Sequence, residues 1–107
     1  MNSQIVTLSE PLKTHDGDVT TITVNEPRAK SFFDHGEPFK TRVIAVEGQP
    51  DQIEFEYNTA ILRKFLMDMT GIDDLILGKV TARDFFALRN ATTNLIMGVA
   101  GQNPTKT

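Results

Sequence analysis

Two histidines, His15 and His35, are the first candidates in this 107-residue chain for acid–base chemistry or metal binding. Each stands beside Asp and Gly residues that are typical of turns. A general base or a metal ligand needs a rigid element to hold it and a neighbouring group to orient it. We therefore expect both histidines to be solvated turn residues without a catalytic or metal-binding role.

Two other segments resemble ligand-binding motifs only in part. The sequence HDGD at residues 15–18 begins like a calcium loop, but the later oxygen ligands and the terminal Glu of such a loop are missing. The spacing of Gly71 and Gly78 departs from the phosphate-loop pattern, and Val80 separates Lys79 from the next hydroxyl residue. The sequence thus predicts neither a calcium site nor a phosphate site.

The sequence also lacks the motifs typical of nucleophilic catalysis. The chain contains no cysteine and no G-x-S-x-G sequence, which excludes the Cys–His class and the hydrolase elbow. The adjacent Asp73 and Asp74 lie at the start of a predicted helical turn, where negative charge stabilises the helix N-terminus without any catalytic role. We expect a protein that is not an enzyme, with no catalytic residue, no cofactor and no metal.

Charge and hydropathy narrow the range of partners. The 11 basic residues are scattered and outnumbered by 14 acidic ones, so the basic surface that nucleic acids require is not expected. No apolar run is long enough to span a membrane, and the first residues lack the basic and apolar regions of a signal peptide. We expect a cytoplasmic protein that binds neither nucleic acid nor membrane.

The length and the hydrophobic content of 39% fit one globular domain with a modest two-layer core. No internal repeat or low-complexity tract divides the chain. We predict a single domain over residues 1–100, followed by a polar, frayed tail over residues 101–107.

The N-terminal residues predict a β-hairpin. Segments rich in Ile, Val and Thr at 4–8 and 18–24 are typical of strands. A turn at Gly17 joins them, because Gly adopts positive φ at no steric cost. Strand alternation places Ile22 and Val24 on one face.

A short helix is predicted after this hairpin, over residues 27–34. Pro27 fits its first position, where the missing N–H costs no intrahelical bond, and Gly36 follows its end. The adjacent Phe32 and Phe33 are expected to anchor this helix to the core.

The middle of the chain allows two interpretations. In QIEFEY at 52–57, apolar and polar residues alternate strictly, which favours a half-buried strand paired with FKTRVIAV at 39–46. The rival interpretation begins a helix at Asp51, with Glu54 completing a capping box. We favour the second hairpin.

Two principal helices are predicted in the last half. The first begins after the N-cap Asn58 and ends before Gly71, and a short helical turn follows over 73–77. The last helix begins at Thr81, with Asp84 in the place of the capping-box acid.

The predicted fold is therefore α+β, with an N-terminal β-hairpin, a second hairpin and a C-terminal helix pair. The predicted core faces are Ile61, Leu62, Phe65, Leu66 and Met69 in the first helix, and Phe85, Leu88, Thr92, Leu95, Ile96 and Val99 in the last.

A second apolar arc on the last helix is the candidate binding surface. Phe86, Thr93 and Met97 lie about 130° from the core face by helical-wheel arithmetic. Phe and the flexible Met suit an adaptable protein-binding surface, while burial of the helix on two sides would explain the same arc structurally. The candidate partner-binding residues are Phe86, Thr93 and Met97, with Phe33 nearby.

Two long phrases resemble a known family, and they occur in the family's order. IVTLSEPLKTHDGDVTTITVNEPRAKSFF at 5–33 resembles the start of the tail assembly chaperones of long-tailed phages and prophages. It has their Thr-Leu-x-x-Pro strand, Gly turn and Glu-Pro-Arg-Ala segment. FLMDMTGIDDLILGKVTARDFFALRNATTNLIMG at 65–98 is similar to that family's helix, Gly-containing break and final helix, with Val80 at an aliphatic position. Residues 37–57 are longer than in the plainer members, as an inserted hairpin would be.

The resemblance implies a chaperone that binds the tape-measure protein, a very long and largely helical chain that sets tail length. The chaperone keeps that protein soluble until the tail tube assembles around it. A long amphipathic helix needs its apolar stripe covered, and a groove with Phe and Met provides that cover. The alternative is a minor structural tail component retained in the virion. Self-association is left open.

Overall fold

The computed structural model describes residues 2–99, so the predicted tail over 101–107 lies outside the described residues. Two antiparallel two-stranded sheets and four helices form the α+β fold that was predicted. In chain order the elements are β1 (Ser3–Thr14), β2 (Gly17–Asn25), α1 (Ala29–His35), β3 (Phe39–Ile44), β4 (Gln52–Tyr57), α2 (Thr59–Thr70), α3 (Asp74–Leu77) and α4 (Ala82–Val99).

The N-terminal hairpin is confirmed, and it is longer than predicted. β1 and β2 pair antiparallel, and Gly17 closes their turn with a φ of 109°. The register shifts between Thr7 and Leu12, so Pro11 lies in an irregular stretch where its missing N–H breaks no ladder hydrogen bond. Residues 9–14, predicted as part of the connection, therefore continue the strand.

The inner face of this hairpin forms the core together with the helices. Ile22 and Val24 share that face as predicted, and both are buried. α2 packs on β2, α4 packs on β1, and the two helices also contact each other. Val99, predicted on the core face, is 44% exposed at the last residue of α4. The buried apolar cluster consists of Val6, Leu8, Leu12, Ile22, Val24, Phe39, Leu62, Phe65, Leu66, Met69, Leu77, Leu88, Ala91, Leu95 and Ile96.

The start of α1 differs from the prediction. Glu26 donates its backbone N–H to the carbonyl of Asn2 at 3.0 Å, which continues the pairing of the hairpin beyond β2. The chain becomes helical only at Ala29, so Pro27 is not the first helical residue. Gly36 ends the helix as predicted, with a φ of 90°.

The two phenylalanines of α1 have different environments. The Phe32 ring packs edge-on against Phe65 of α2, with ring centroids 4.8 Å apart. Phe33 is 87% exposed, so its predicted anchoring role is wrong. Successive side chains point about 100° apart around a helix, and only one of two adjacent residues can face the same neighbour.

The second hairpin is confirmed, and the rival helix beginning at Asp51 is wrong. β3 and β4 pair antiparallel, with Phe39 opposite Tyr57 at the base and Val43 opposite Ile53 farther out. Because side chains alternate along a strand, the hairpin has two distinct faces. One face consists of Phe39, Thr41, Val43, Ile53, Phe55 and Tyr57, and the other of Lys40, Arg42, Ile44, Gln52, Glu54 and Glu56.

The caps of α2 confirm its predicted limits, and α3 begins at Asp74, one residue after its predicted start, and ends at Leu77 as predicted. The Asn58 side chain accepts a hydrogen bond from the backbone N–H of Ile61 at the start of α2. Gly71 ends α2 in the left-handed conformation with a φ of 71°. Asp73 precedes α3, and Gly78 follows it.

At the start of α4, Thr81 caps the helix, and Asp84 forms its hydrogen bond with β1 rather than with the cap residue. Thr81 Oγ1 accepts the backbone N–H of Asp84 at 3.1 Å, as a capping residue does. Asp84 Oδ1 instead accepts the backbone N–H of Ser9 in β1, at 2.8 Å. The Ser9 and Thr81 hydroxyl oxygens lie 3.1 Å apart. The acid of the predicted capping box thus ties α4 to β1.

This contact should make stability depend on pH. Hydrogen bonds to the Asp84 carboxylate, first from the Ser9 backbone, hold the pKa of Asp84 below its ordinary value and outweigh the opposing effect of burial. A lowered folded-state pKa gives stability that is present above the unfolded pKa of about 4 and is lost as pH falls through the folded-state pKa. We expect Asp84→Asn to be less stable than the natural chain at neutral pH and to lose less stability on acidification.

Urea unfolding at several pH values between roughly 7 and 2 tests this, because it covers both sides of the ordinary Asp pKa. Asp16→Asn, in the exposed turn of the first hairpin, is the matched control and should follow the natural chain throughout. A stability difference between Asp84→Asn and the natural chain that stays constant over the whole pH range would contradict the assignment.

Candidate partner-binding surface

The second apolar arc of α4 is divided by the second hairpin. Thr93, in the middle of the arc, is only 6% exposed. The base of the hairpin lies over it, with the Tyr57 hydroxyl oxygen 2.9 Å from Thr93 Oγ1. Thr93 is therefore not part of an open surface, and burial on two sides explains its place in the arc. Phe86 and Met97 lie on either side of it along the helix.

The Met97 end of the arc lies in a groove. Met97 is half-buried, and it lines this groove together with Phe32 and Phe39. Phe33, which was expected nearby, is not among the lining residues and remains on the outer side of α1. The structure thus does not bring the four predicted partner-binding residues together.

The Phe86 end of the arc is joined to the hairpin by an arginine. Phe86 is 48% exposed. The Arg89 guanidinium carbon lies 4.9 Å from the centroid of the Phe86 ring and 4.3 Å from that of Tyr57. A cation over an aromatic ring is attracted to the negative face of the ring. Arg89 therefore links the two aromatic residues into one continuous surface.

The outer half of the hairpin extends this surface away from α4. Phe55 stacks on Tyr57 with ring centroids 6.0 Å apart. Beyond it, Val43 and Ile53 lie directly opposite each other on the same face and are 64% and 54% exposed. The hairpin strip is defined here as this connected surface, which consists of Val43, Ile53, Phe55, Tyr57, Arg89 and Phe86.

Contiguity distinguishes the hairpin strip from the other exposed apolar residues. Ile5, Phe33 and Leu75 are also exposed, but they lie on β1, α1 and α3 respectively. Single exposed apolar residues are ordinary on protein surfaces, whereas apolar residues grouped on one face indicate an interaction site. Sequence reasoning singled out Phe86 but missed the rest of the strip, of which the strict alternation in β4 could have indicated Ile53, Phe55 and Tyr57.

The two histidines differ in their surroundings. His15 is exposed in the turn of the first hairpin, as predicted. His35 ends α1, and its Nε2 lies 3.0 Å from Asp68 Oδ2 on α2, so the prediction of a solvated turn residue is wrong. The Ser31 hydroxyl donates to the same oxygen at 2.7 Å. The shared periodicity of Ser31 and His35, four residues apart on α1, was the signal that sequence reasoning missed.

This cluster has the residue types of a nucleophile, a base and an orienting acid, but not their arrangement. In a catalytic triad the histidine contacts the nucleophile and the acid holds the far side of the ring. Here Ser31 and His35 both contact Asp68 Oδ2. The cluster therefore connects α1 to α2 and does not activate the serine.

Residues 2–99 offer neither a metal-binding cluster nor a membrane-spanning helix. No three His, Cys, Asp or Glu side chains in this part of the chain are grouped so that they hold a metal ion. None of its helices combines the length and the hydropathy needed to cross a membrane.

No protein-family model, no curated protein and no solved structure matches the chain. The function proposed for it therefore rests on the hairpin strip, the charges beside it and the resemblance of the two sequence phrases.

Proposed function

We propose that this protein is a non-enzymatic tail assembly chaperone that covers apolar helical surface of a tape-measure protein. The two sequence phrases that resemble the family support the identity of the partner. The hairpin strip supports the mode of action, because it groups exposed apolar residues on one connected face, whereas Ile5, Phe33 and Leu75 are exposed singly on other elements. In this proposal the chain works in the cytoplasm of the host bacterium and makes or breaks no covalent bond.

One observation carries the proposal. Val43 and Ile53 form a cross-strand pair that continues into Phe55 and Tyr57 without an intervening charge on that face. A pair at the outer end of a hairpin contributes little to the core, so its apolar character has no role in folding that the structure shows. An amphipathic helix laid along this face would bury its own apolar stripe and the strip at once.

Co-expression tests the proposal. The long helical tape-measure protein of the same phage or prophage is expressed alone, with this chain, and with an unrelated soluble protein of similar size. We expect the tape-measure protein to shift from the insoluble to the soluble fraction only with this chain, and to be retained with it on affinity purification. Equal insolubility in all three cases would refute the proposal.

The alternative role, a minor tail component, makes a different prediction about the finished particle. A chaperone leaves before assembly ends, so we expect mass spectrometry of purified virions to detect the tape-measure protein but not this chain. Stoichiometric recovery of this chain from virions would favour the structural role instead.

A further inference from the structure

The exposed charge on α4 is entirely positive beside the hairpin strip. α4 contains three charged residues, Arg83, Asp84 and Arg89. Asp84 is buried and accepts the hydrogen bond from Ser9, so it faces the core. Arg83 is exposed, and Arg89 is partly buried. The surface of α4 next to the strip is therefore cationic, although the chain as a whole has a net charge of −3.

Both arginines adjoin Phe86. Each is three residues from it along α4, which places them next to it on the helix surface, about 9 Å apart in axial rise. Neither arginine forms an ion pair with another residue in the described part of the chain. By contrast, Arg42 pairs with Glu54 on the opposite face of the hairpin, and Arg63 of α2 pairs with Asp74 of α3.

Arg89 is the more unusual of the two. Its guanidinium stacks between the rings of Tyr57 and Phe86, and its Nε is buried without a hydrogen-bond partner among residues 2–99. Stacking on the rings occupies the faces of the planar guanidinium and leaves its edges as the hydrogen-bonding groups. A partly desolvated cation with no counter-charge gains most from a carboxylate that arrives with a binding partner.

We infer that the hairpin strip takes an acidic amphipathic helix, in which carboxylates border the apolar stripe and bind Arg89 and Arg83. This inference rests on the proposed function and specifies that the partner helix is acidic. The apolar stripe covers the aliphatic and aromatic residues of the strip, while the flanking acids supply the counter-charges. A second copy of this chain is a poorer occupant, because a symmetric contact would place the same arginines against each other.

Two synthetic helical peptides test the inference. They have the same leucine stripe, and the flanking positions are glutamate in one and glutamine in the other. Fluorescence anisotropy with the full chain should show the glutamate peptide binding about tenfold or more tightly, and added salt should weaken that peptide alone. Arg89→Gln should remove most of this preference, and because Arg89 packs on Tyr57 and Phe86 within the strip, it should also weaken the glutamine peptide, to a smaller extent. Arg83→Gln, at an exposed position outside the strip, should reduce the preference without changing the affinity for the glutamine peptide or the folding of the chain.

Arg42→Gln removes a positive charge from the opposite face of the hairpin and is the matched control, so it should keep the full preference. Equal affinity of the natural chain for both peptides would overturn the inference and leave apolar shielding intact. Binding to neither peptide, as in a chain already dimeric through the strip, would overturn the inference and the proposed function together.

Discussion

Replacing Phe65 by alanine is expected to lower the free energy of unfolding by about 3–5 kcal/mol, the usual cost of removing a fully buried phenylalanine. Phe65 has no exposed surface, and its ring contacts both Phe32 and His35 of α1. The cavity would therefore lie where α1 meets α2. Domains of this size have a total stability of roughly 5–15 kcal/mol, so the loss would unfold a substantial fraction of the molecules under mild denaturing conditions.

Phe33→Ala is the matched control for this prediction. It removes the same ring from the same part of the chain, but Phe33 is 87% exposed, so the expected change is within about 0.5 kcal/mol. Urea unfolding followed by circular dichroism measures both variants. Similar losses in the two variants would contradict the described orientation of α1.

Replacing Val43 and Ile53 together by threonine is expected to weaken binding of the apolar helical peptides about 100-fold. Threonine is β-branched and suits a strand, so the hairpin should keep its structure. Each new hydroxyl would be buried under the bound helix without a partner, at a cost of roughly 1–2 kcal/mol. A cost of about 1.4 kcal/mol weakens binding tenfold, so the two buried hydroxyls together account for the expected 100-fold weakening.

The control places two threonines in the same hairpin on its other face. Arg42→Thr with Gln52→Thr changes neighbouring positions and removes the exposed ion pair between Arg42 and Glu54, which contributes little to stability. Peptide anisotropy should show unchanged affinity for this control. If both double variants bind as the natural chain does, the hairpin strip is not the binding surface.

Local patterns predicted most of the elements and failed where distant residues decide the structure. Strict alternation in QIEFEY and the Asn58 cap each act over a few residues, so β4 and α2 were predicted with their limits, whereas β3 ends at Ile44, before the predicted end at residue 46. The β1 segment around Pro11 was predicted as part of the connection, whereas in the structure Ser9 of this segment contacts Asp84 and Thr81 at the start of α4. That contact joins Ser9 and Asp84, 75 residues apart, and no local pattern encodes it.

The candidate site was predictable to a similar degree. Of the second apolar arc predicted on α4, Phe86 is exposed, as a partner-binding residue must be. The burial of Thr93 depends on Tyr57, 36 residues away, and periodicity on one helix does not show what another element places over it. For the same reason the sequence predicts His35 to be a solvated residue, whereas it contacts Asp68 on α2.

The rear face of the second hairpin has a consequence for any complex that the protein forms. Lys40 lies opposite Glu56, and Arg42 opposite Glu54. On the face away from the apolar strip, each basic side chain of β3 is therefore paired across the strands with an acidic side chain of β4. A helix bound to the apolar face would be screened from water, while these charged side chains on the other face stay exposed. Charged side chains beside an open strand edge also discourage further strands from adding to it. The loaded complex would accordingly resist aggregation better than its cargo alone.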